Sequence, residues 1–496
     1  MYWLGIDVGT GGTRALLVDE RGKVRHAVTA PHEEMCMERP LWAEQRPENW
    51  WDAAQQAIRG VLAQAGAKAE DVRGIGLSGQ MHGLVLLDAS DRVIRPALIW
   101  CDQRSQAQVD AINQRIGKQA VLAAIANPVL TGFTLPKLLW VRDNEPGSFA
   151  RVRKMLLPKD YLRFQLTGEY ASDVSDASGT ALFDVVNRTW SYELAAKLEL
   201  DCSILPKVAE SSEITGRISQ RAARETGLAE GTPVVAGAGD QAASAVGNGI
   251  VEPGYMSCTI GTSGVVFAHM QAPAYDPAGR VHTFCHAVRG AWHVMGVTQG
   301  AGLSLQWFRN NLAPGISYDE LTREAATSPA GADGLFWLPY LMGERTPHLD
   351  ASARGGWIGL TAKHTRADLM RALLEGVSYS QRDCLDIVEQ LSGPVESVRV
   401  SGGGARSAFW RQMLADVFGK RVAILETQEG SAYGAALLAL VGTGAYASAG
   451  EVCSAAIHEI DSVAPQPREM GVYAQGHKTY QSLYPALTGF YHASQG

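Results

Sequence analysis

Two periodicities divide this chain. A short apolar run that ends in glycine and threonine, and then returns as a second apolar run, occurs twice. The first is Leu4-Gly5-Ile6-Asp7-Val8-Gly9-Thr10-Gly11-Gly12-Thr13, followed by Ala15-Leu16-Leu17-Val18. The second is Met256-Ser257-Cys258-Thr259-Ile260-Gly261-Thr262-Ser263-Gly264, followed by Val265-Val266-Phe267. Each predicts a strand, a tight turn and a returning strand, because glycine supplies the backbone freedom that a reversal needs. The longer, helical period marks residues 42–62, with Pro47 near the start, and residues 366–388 and 408–418. Residues 72–77 and 84–87 predict strands around the loop Ser78-Gly79-Gln80-Met81-His82-Gly83. Val398-Arg399-Val400 predicts a strand that runs into Gly402-Gly403-Gly404.

Superposing Gly9 on Gly261 gives an offset of 252 residues, about half the chain, as duplication of one domain would leave. A chance match in a chain with 53 glycines is the competing reading. A chain of 496 residues is too long for one ordinary core, so two large α/β domains are expected. The boundary is placed at Asn248-Gly249 and Pro253-Gly254, giving domains over 1–250 and 251–450 and a peripheral tail over 451–496.

Composition narrows the function classes. With 46% hydrophobic and 19% charged residues the chain reads as globular, and a net charge of -7 leaves no basic footprint for nucleic acid. Seven well-separated cysteines, an odd number, argue against a disulfide framework or a cysteine zinc site. No apolar run approaches the roughly 20 residues of a membrane span, and the first residues form no signal peptide. A soluble cytoplasmic protein is expected.

The candidate chemistry lies in the turns. A phosphate needs backbone amides that approach closely, and both Gly-Thr turns allow this: Thr10, Gly11 and Thr13 in the first, Gly261, Thr262 and Ser263 in the second. An ordinary glycine hairpin is the plainer reading of either alone. Asp7 in the first turn corresponds to Thr259 in the second, and a carboxylate beside a triphosphate makes sense as a ligand to Mg²⁺, direct or through water. Ser401-Gly402-Gly403-Gly404-Ala405-Arg406-Ser407 follows a strand and opens a helix, an order that suits the edge of a nucleotide site but also a structural turn. Asp240, delivered by the apolar run Val234-Val235-Ala236-Gly237-Ala238-Gly239, is a candidate base, with a helix N-cap as its alternative. Gln80-Met81-His82-Gly83 and Trp100-Cys101-Asp102-Gln103-Arg104 offer the mixture of aromatic, apolar and polar groups that recognises a polyol.

Together these residues resemble the FGGY carbohydrate kinases of the actin-like ATPase superfamily, over nearly the whole chain. The family-level positions are residues 5–10, residues 132–144 with Lys137 and Trp140, the Gly239-Asp240 pair, and residues 402–407. Residues 80–83, 156–163 and 343–348 are similar to the ketopentose kinases of that family. The resemblance implies two actin-like (ribonuclease H-like) ATPase domains flanking a deep cleft, a homodimer, and transfer of a phosphoryl group from ATP, with Mg²⁺, to D-xylulose. It aligns Asp240 with the catalytic base and Asp7 with the acid that organises Mg²⁺. Met81, His82, Trp100, Asp102 and Gln241 fall on the sugar side; Gly261, Thr262, Gly302, Gln306, Gly403, Gly404 and Ser407 fall on the nucleotide side. Gln241 follows the base where ketopentose kinases often carry Asn, which keeps ribulose, L-xylulose and glycerol open as acceptors.

Overall fold

The computed structural model describes residues 1–427 and 429–493. Two seven-stranded mixed sheets dominate it. In the first, the strands run in the order Ile214–Arg217, Pro233–Val235, Val72–Gly79, Tyr2–Val8, Gly12–Val18 and Val24–Pro31, with Ala238–Gly239 also pairing to Val72–Gly79. In the second, the order is Glu459–Val463, Arg421–Leu425, Ser397–Ser401, Tyr255–Ile260, Gly264–Met270, Trp292–Thr298 and His282–Cys285.

The two sheets repeat each other strand for strand over six positions. Tyr2–Val8 is antiparallel to the strand that follows it and parallel to Val72–Gly79; Tyr255–Ile260 stands in the same two relations, to Gly264–Met270 and Ser397–Ser401. The next strand out is parallel in each sheet, and the one beyond it antiparallel. The Gly-Thr repeat is therefore the visible part of a duplicated topology rather than a chance match.

Helix Pro47–Ala65 buries Trp50, Ala53, Ala54, Ala57, Ile58 and Val61 among the strands of the first sheet. It begins at Pro47, not at residue 42: Glu44–Gln45 pairs as a strand with Ala97–Leu98, and proline suits the first helical position because no N–H is needed there. Helix Arg366–Ser392 fills the core of the second sheet and outlasts the predicted span by one turn.

Helix Gly430–Gly442, although it lies in the chain between two strands of the second sheet, packs on the first. Gly5 and Gly76 permit this. A Cβ on Gly5 would lie 1.9 Å from the Ala432 carbonyl oxygen, and one on Gly76 would lie 1.8 Å from that of Ala435. The same helix crosses Asp240–Gly247 closely, since a Cβ on Gly434 would stand 1.8 Å from the Ala243 oxygen. The two halves are thus interlocked at the helix that begins with Asp240.

The stretch from 451 onward, expected to be peripheral, is partly core. Glu459–Val463 completes the second sheet, and helix Pro467–Ala493 buries Tyr473, Tyr480 and Tyr491. Tyrosine carries a large apolar body with a polar tip, so a helix that reads as polar still buries one face. Among the described residues no helix is long and apolar enough to cross a membrane.

Candidate active site

Asp7 is the penultimate residue of the strand Tyr2–Val8, in register with Arg14 on one side and Ser78 on the other. Burial raises the proton affinity of its carboxyl, against the opposing effects of Ser78, Ser431 and the Arg14 charge. Ser78 and Ser431 stand close enough to act on the carboxyl, yet Asp7 Oδ1 and Ser78 Oγ are buried atoms with no well-aligned hydrogen bond. Ser431 comes from the second half of the chain, and Arg14 pairs with Glu429 beside it. Asp240 opens the helix Asp240–Gly247, whose cap is Gly239; no side chain caps that helix, so the N-cap alternative falls. Burial first, and then the charge of Asp7, push the Asp240 carboxyl up to about 7. Two acids 233 residues apart in sequence therefore feel each other in one site.

The first turn is tied down on one side and open on the other. Gly9 N–H donates to the Gly12 oxygen at 3.0 Å, and the Thr10 carbonyl accepts from Gln45 Nε2 at 2.7 Å. Gly11 is exposed, with nothing near the place where a Cβ would stand. Thr13, expected at the phosphates, is fully buried, and its hydroxyl meets His32 Nε2 at 2.8 Å. Strand alternation turns Thr13 inward, so it supports the turn from behind.

The second turn docks on a helix. Gly261 N–H donates to the Ser263 oxygen at 3.0 Å, while the N–H groups of Gly302 and Leu303 donate to the carbonyls of Gly261 and Thr262 at 2.7 and 3.1 Å. A Cβ on Gly302 would lie 2.4 Å from the Gly261 oxygen, so Gly302 holds the hairpin and its own N–H is already used. Gln306 is exposed one turn further along the same helix, Ala301–Leu312. The triple glycine reaches the same end of the strand: a Cβ on Gly402 would stand 2.5 Å from the Ile260 oxygen, and one on Gly404 would stand 2.6 Å from Ile260 Cγ2. Gly403 is exposed and unobstructed, whereas Ser407 Oγ caps helix Ala408–Phe418 by accepting from the Trp410 N–H at 3.3 Å. Gly302, Gly404 and Ser407 thus build the wall of this region, and Thr262, Ser263 and Gly403 carry its surface.

The loop after Ser78 joins the first turn to Asp240. Gln80 reaches Gln45 at 3.0 Å and takes a long bond from the Thr10 hydroxyl, at 3.4 Å. The half-exposed Trp100 donates from Nε1 to Thr10 Oγ1 at 2.9 Å. Met81 lies under Gly239, where a Cβ would come 2.9 Å from its sulfur. His82 has a positive φ of 69°. Its carbonyl is held by Lys137 Nζ at 2.9 Å and by Thr134 Oγ1 at 3.1 Å. His82 Nδ1 donates to the Gly179 carbonyl at 2.6 Å, and its ring stacks on Phe133 at 4.6 Å. Burial, with the nearby Lys137 and Arg345 charges, pulls it down to about 3, so the ring is neutral and Nε2 is left as an acceptor.

Asp102 does not belong to this surface. It is fully buried, accepting from the Ala43 N–H at 2.7 Å and pairing with Arg104 at 2.7 Å, and no face remains for a ligand. Ser78, read as the first residue of the loop, instead lies in the strand Val72–Gly79 beside Asp7, and sequence reasoning missed Gly179 and Ser431, which touch the site from two further segments. Neither of these two carried a local signal in the sequence.

Residues 2–247 match the N-terminal domain of the FGGY family of carbohydrate kinases, and residues 256–443 match its C-terminal domain. The chain is 40% identical to the xylulose kinase of Escherichia coli (strain K12) over 489 residues, 98% of this chain and 99% of that one. It is 38% identical to the xylulose kinase of Bacillus subtilis (strain 168) over 97% of this chain and 96% of that one. A crystal structure of a "xyloylose kinase" from Brucella ovis superposes with a TM-score of 0.93 at 39% identity, covering 99% of this chain and all of that one. With both domains matched in order over most of its length, the chain belongs to the FGGY family of carbohydrate kinases.

Proposed function

We propose that this sugar kinase transfers the γ-phosphoryl group of ATP to the 5-hydroxyl of D-xylulose, giving D-xylulose 5-phosphate and ADP. One observation carries the reading: Asp240 heads its helix directly after a glycine seated on Met81 of the sugar loop, and burial with the charge of Asp7 pushes its carboxyl up to about 7. As the bond from the sugar oxygen to the γ-phosphorus forms and the bond to the ADP oxygen breaks, Asp240 accepts the hydroxyl proton. Its raised proton affinity suits that late transfer better than an ordinary aspartate would. Met81, His82 and Trp100 shape the sugar side, and Gln241 stands next to the base. The second hairpin, with Thr262, Ser263 and Gly403, takes the nucleotide; Gln306 stands further along the helix that holds it. The exposed Gly11 lets the first turn approach the phosphates.

Asp7 Oδ1 and Ser78 Oγ, buried atoms with no well-aligned hydrogen bond, fit a hydrated cation. Mg²⁺, when bound with the triphosphate, neutralises charge on the phosphate oxygens, and Asp7 would hold it directly or through water. The reading places the enzyme in the cytoplasm, and its seven free cysteines agree with a reducing compartment. ADP release measured across D-xylulose, L-xylulose, D- and L-ribulose and glycerol tests the assignment. D-xylulose should give the highest kcat/KM, and a preference for glycerol or ribulose would replace it with the acceptor that Gln241 leaves open.

A further inference from the structure

A buried hydroxyl ties the base to an ion cluster that the phosphoryl transfer itself does not touch. Ser175 lies fully buried in the short helix Val174–Ala177. Its Oγ donates to Asp173 Oδ2 at 2.5 Å and accepts from the Gly239 N–H at 3.1 Å. Gly239 is the cap residue immediately before Asp240. Asp173 is held in turn by the Ser175 N–H at 2.8 Å, by Ser211 Oγ at 3.1 Å and by Lys159 Nζ at 3.0 Å. Lys159, fully buried, also reaches Asp160 at 2.6 Å and Asp176 at 3.7 Å, and Arg163 pairs with Asp160 at 3.1 Å.

The same lysine abuts the strand that delivers the sugar loop, because a Cβ on Gly79 would lie 3.2 Å from Lys159 Cβ. Lys159 is thus in contact with the end of Val72–Gly79 directly and with Gly239 through Asp173 and Ser175. A buried ion cluster is a poor source of net stability, since desolvation offsets most of the attraction. Its members do fix one another in three dimensions, and Ser175 is the link that passes this geometry to the base. A hydroxyl is needed there, since the position must donate to a carboxylate and accept from an amide at once.

We infer that Ser175, anchored by Asp173 and Lys159, is a positioning residue whose hydroxyl sets where Asp240 stands relative to the sugar loop. The inference rests on Asp240 being the base. Ser175→Ala removes one atom and leaves the Lys159–Asp173 pair in place. It is expected to lower kcat by about ten- to a hundredfold while KM for sugar and for ATP stays within about twofold, the pattern of a misplaced catalytic group. Amide hydrogen exchange in the peptide spanning 238–243 should quicken, because the Gly239 N–H loses its acceptor. Ser175→Thr, which keeps the hydroxyl, should recover most of the turnover. An unchanged kcat in Ser175→Ala, or a rise in KM that accounts for the whole loss, overturns the inference. Asp240→Ala separates the two levels. If it is inactive while Ser175→Ala is fully active, the positioning role alone fails; if it turns over normally, the base assignment fails with it.

Discussion

The two hairpins share a topology and differ in their chemistry. In the first sheet Asp7 stands in register with Ser78, both with buried atoms that lack a well-aligned hydrogen bond; in the second, Thr259 and Ser401 occupy the corresponding positions and bond each other at 2.9 Å. One copy therefore carries a charge and polar atoms without well-aligned partners, and the other is neutral and internally hydrogen-bonded. Burying a polar group without a partner costs free energy, and a folded chain tolerates it where a ligand completes the shell. The second copy has no such need, and with the nucleotide placed there as proposed, its neutrality keeps another carboxylate away from the phosphates. The two frames share one topology, and an acid in one stands where a threonine stands in the other; on the proposed reading that difference separates a metal-organising side from a nucleotide side.

The largest effect expected from breaking this asymmetry is at the acids. Asp240→Ala should lower kcat by about a thousandfold with the sugar KM little changed, as removal of a general base does. Asp7→Ala should match it in steady-state turnover and, unlike Asp240→Ala, should raise the Mg²⁺ concentration needed for half-maximal rate. Thr259→Asp tests the other copy: a second carboxylate should raise KM for ATP about tenfold through like-charge repulsion and leave sugar KM unaltered.

Acidity sharpens the comparison further. The base form of Asp240 is lost as pH falls through about 7, so kcat/KM should drop about tenfold per pH unit below that point and level off above it. The sign for stability is the reverse. A carboxyl raised from 3.8 in the unfolded chain to about 7 in the fold costs stability once pH exceeds the unfolded value, fully so above the folded one. Asp240→Asn should therefore melt higher than the parent at pH 8, by about 2 °C, and lose that advantage at pH 4. The smallest effect belongs to Gly11→Ala. Its Cβ meets nothing, so the melting temperature should hold while KM for ATP rises about threefold, from added bulk at a phosphate turn.

Much of this site was legible because its signals are local. A strand ending in Gly-Thr, a lone acid in one copy and a glycine-flanked acid at 240 each fit within about ten residues. Thr13 and Asp102 misled for a related reason: each lies in a suggestive run, but the face a side chain takes after a turn depends on what packs against it. Thr13 meets His32, and Asp102 is taken by Arg104 and the Ala43 amide. The tail misled because its buried tyrosines sit in an otherwise polar helix.

What the sequence by itself determined were the strands, the turns and the identity of the two acids, since backbone preference and hydrophobic period act over a few residues. Tertiary structure alone decided that Ser431 and Glu429 reach the first hairpin, that a helix from the second half rests on Gly5 and Gly76, and that Ser175 grips Gly239. It also decided the proton affinity of Asp240, because burial and the charge of Asp7 are properties of space, set by groups that are distant along the chain.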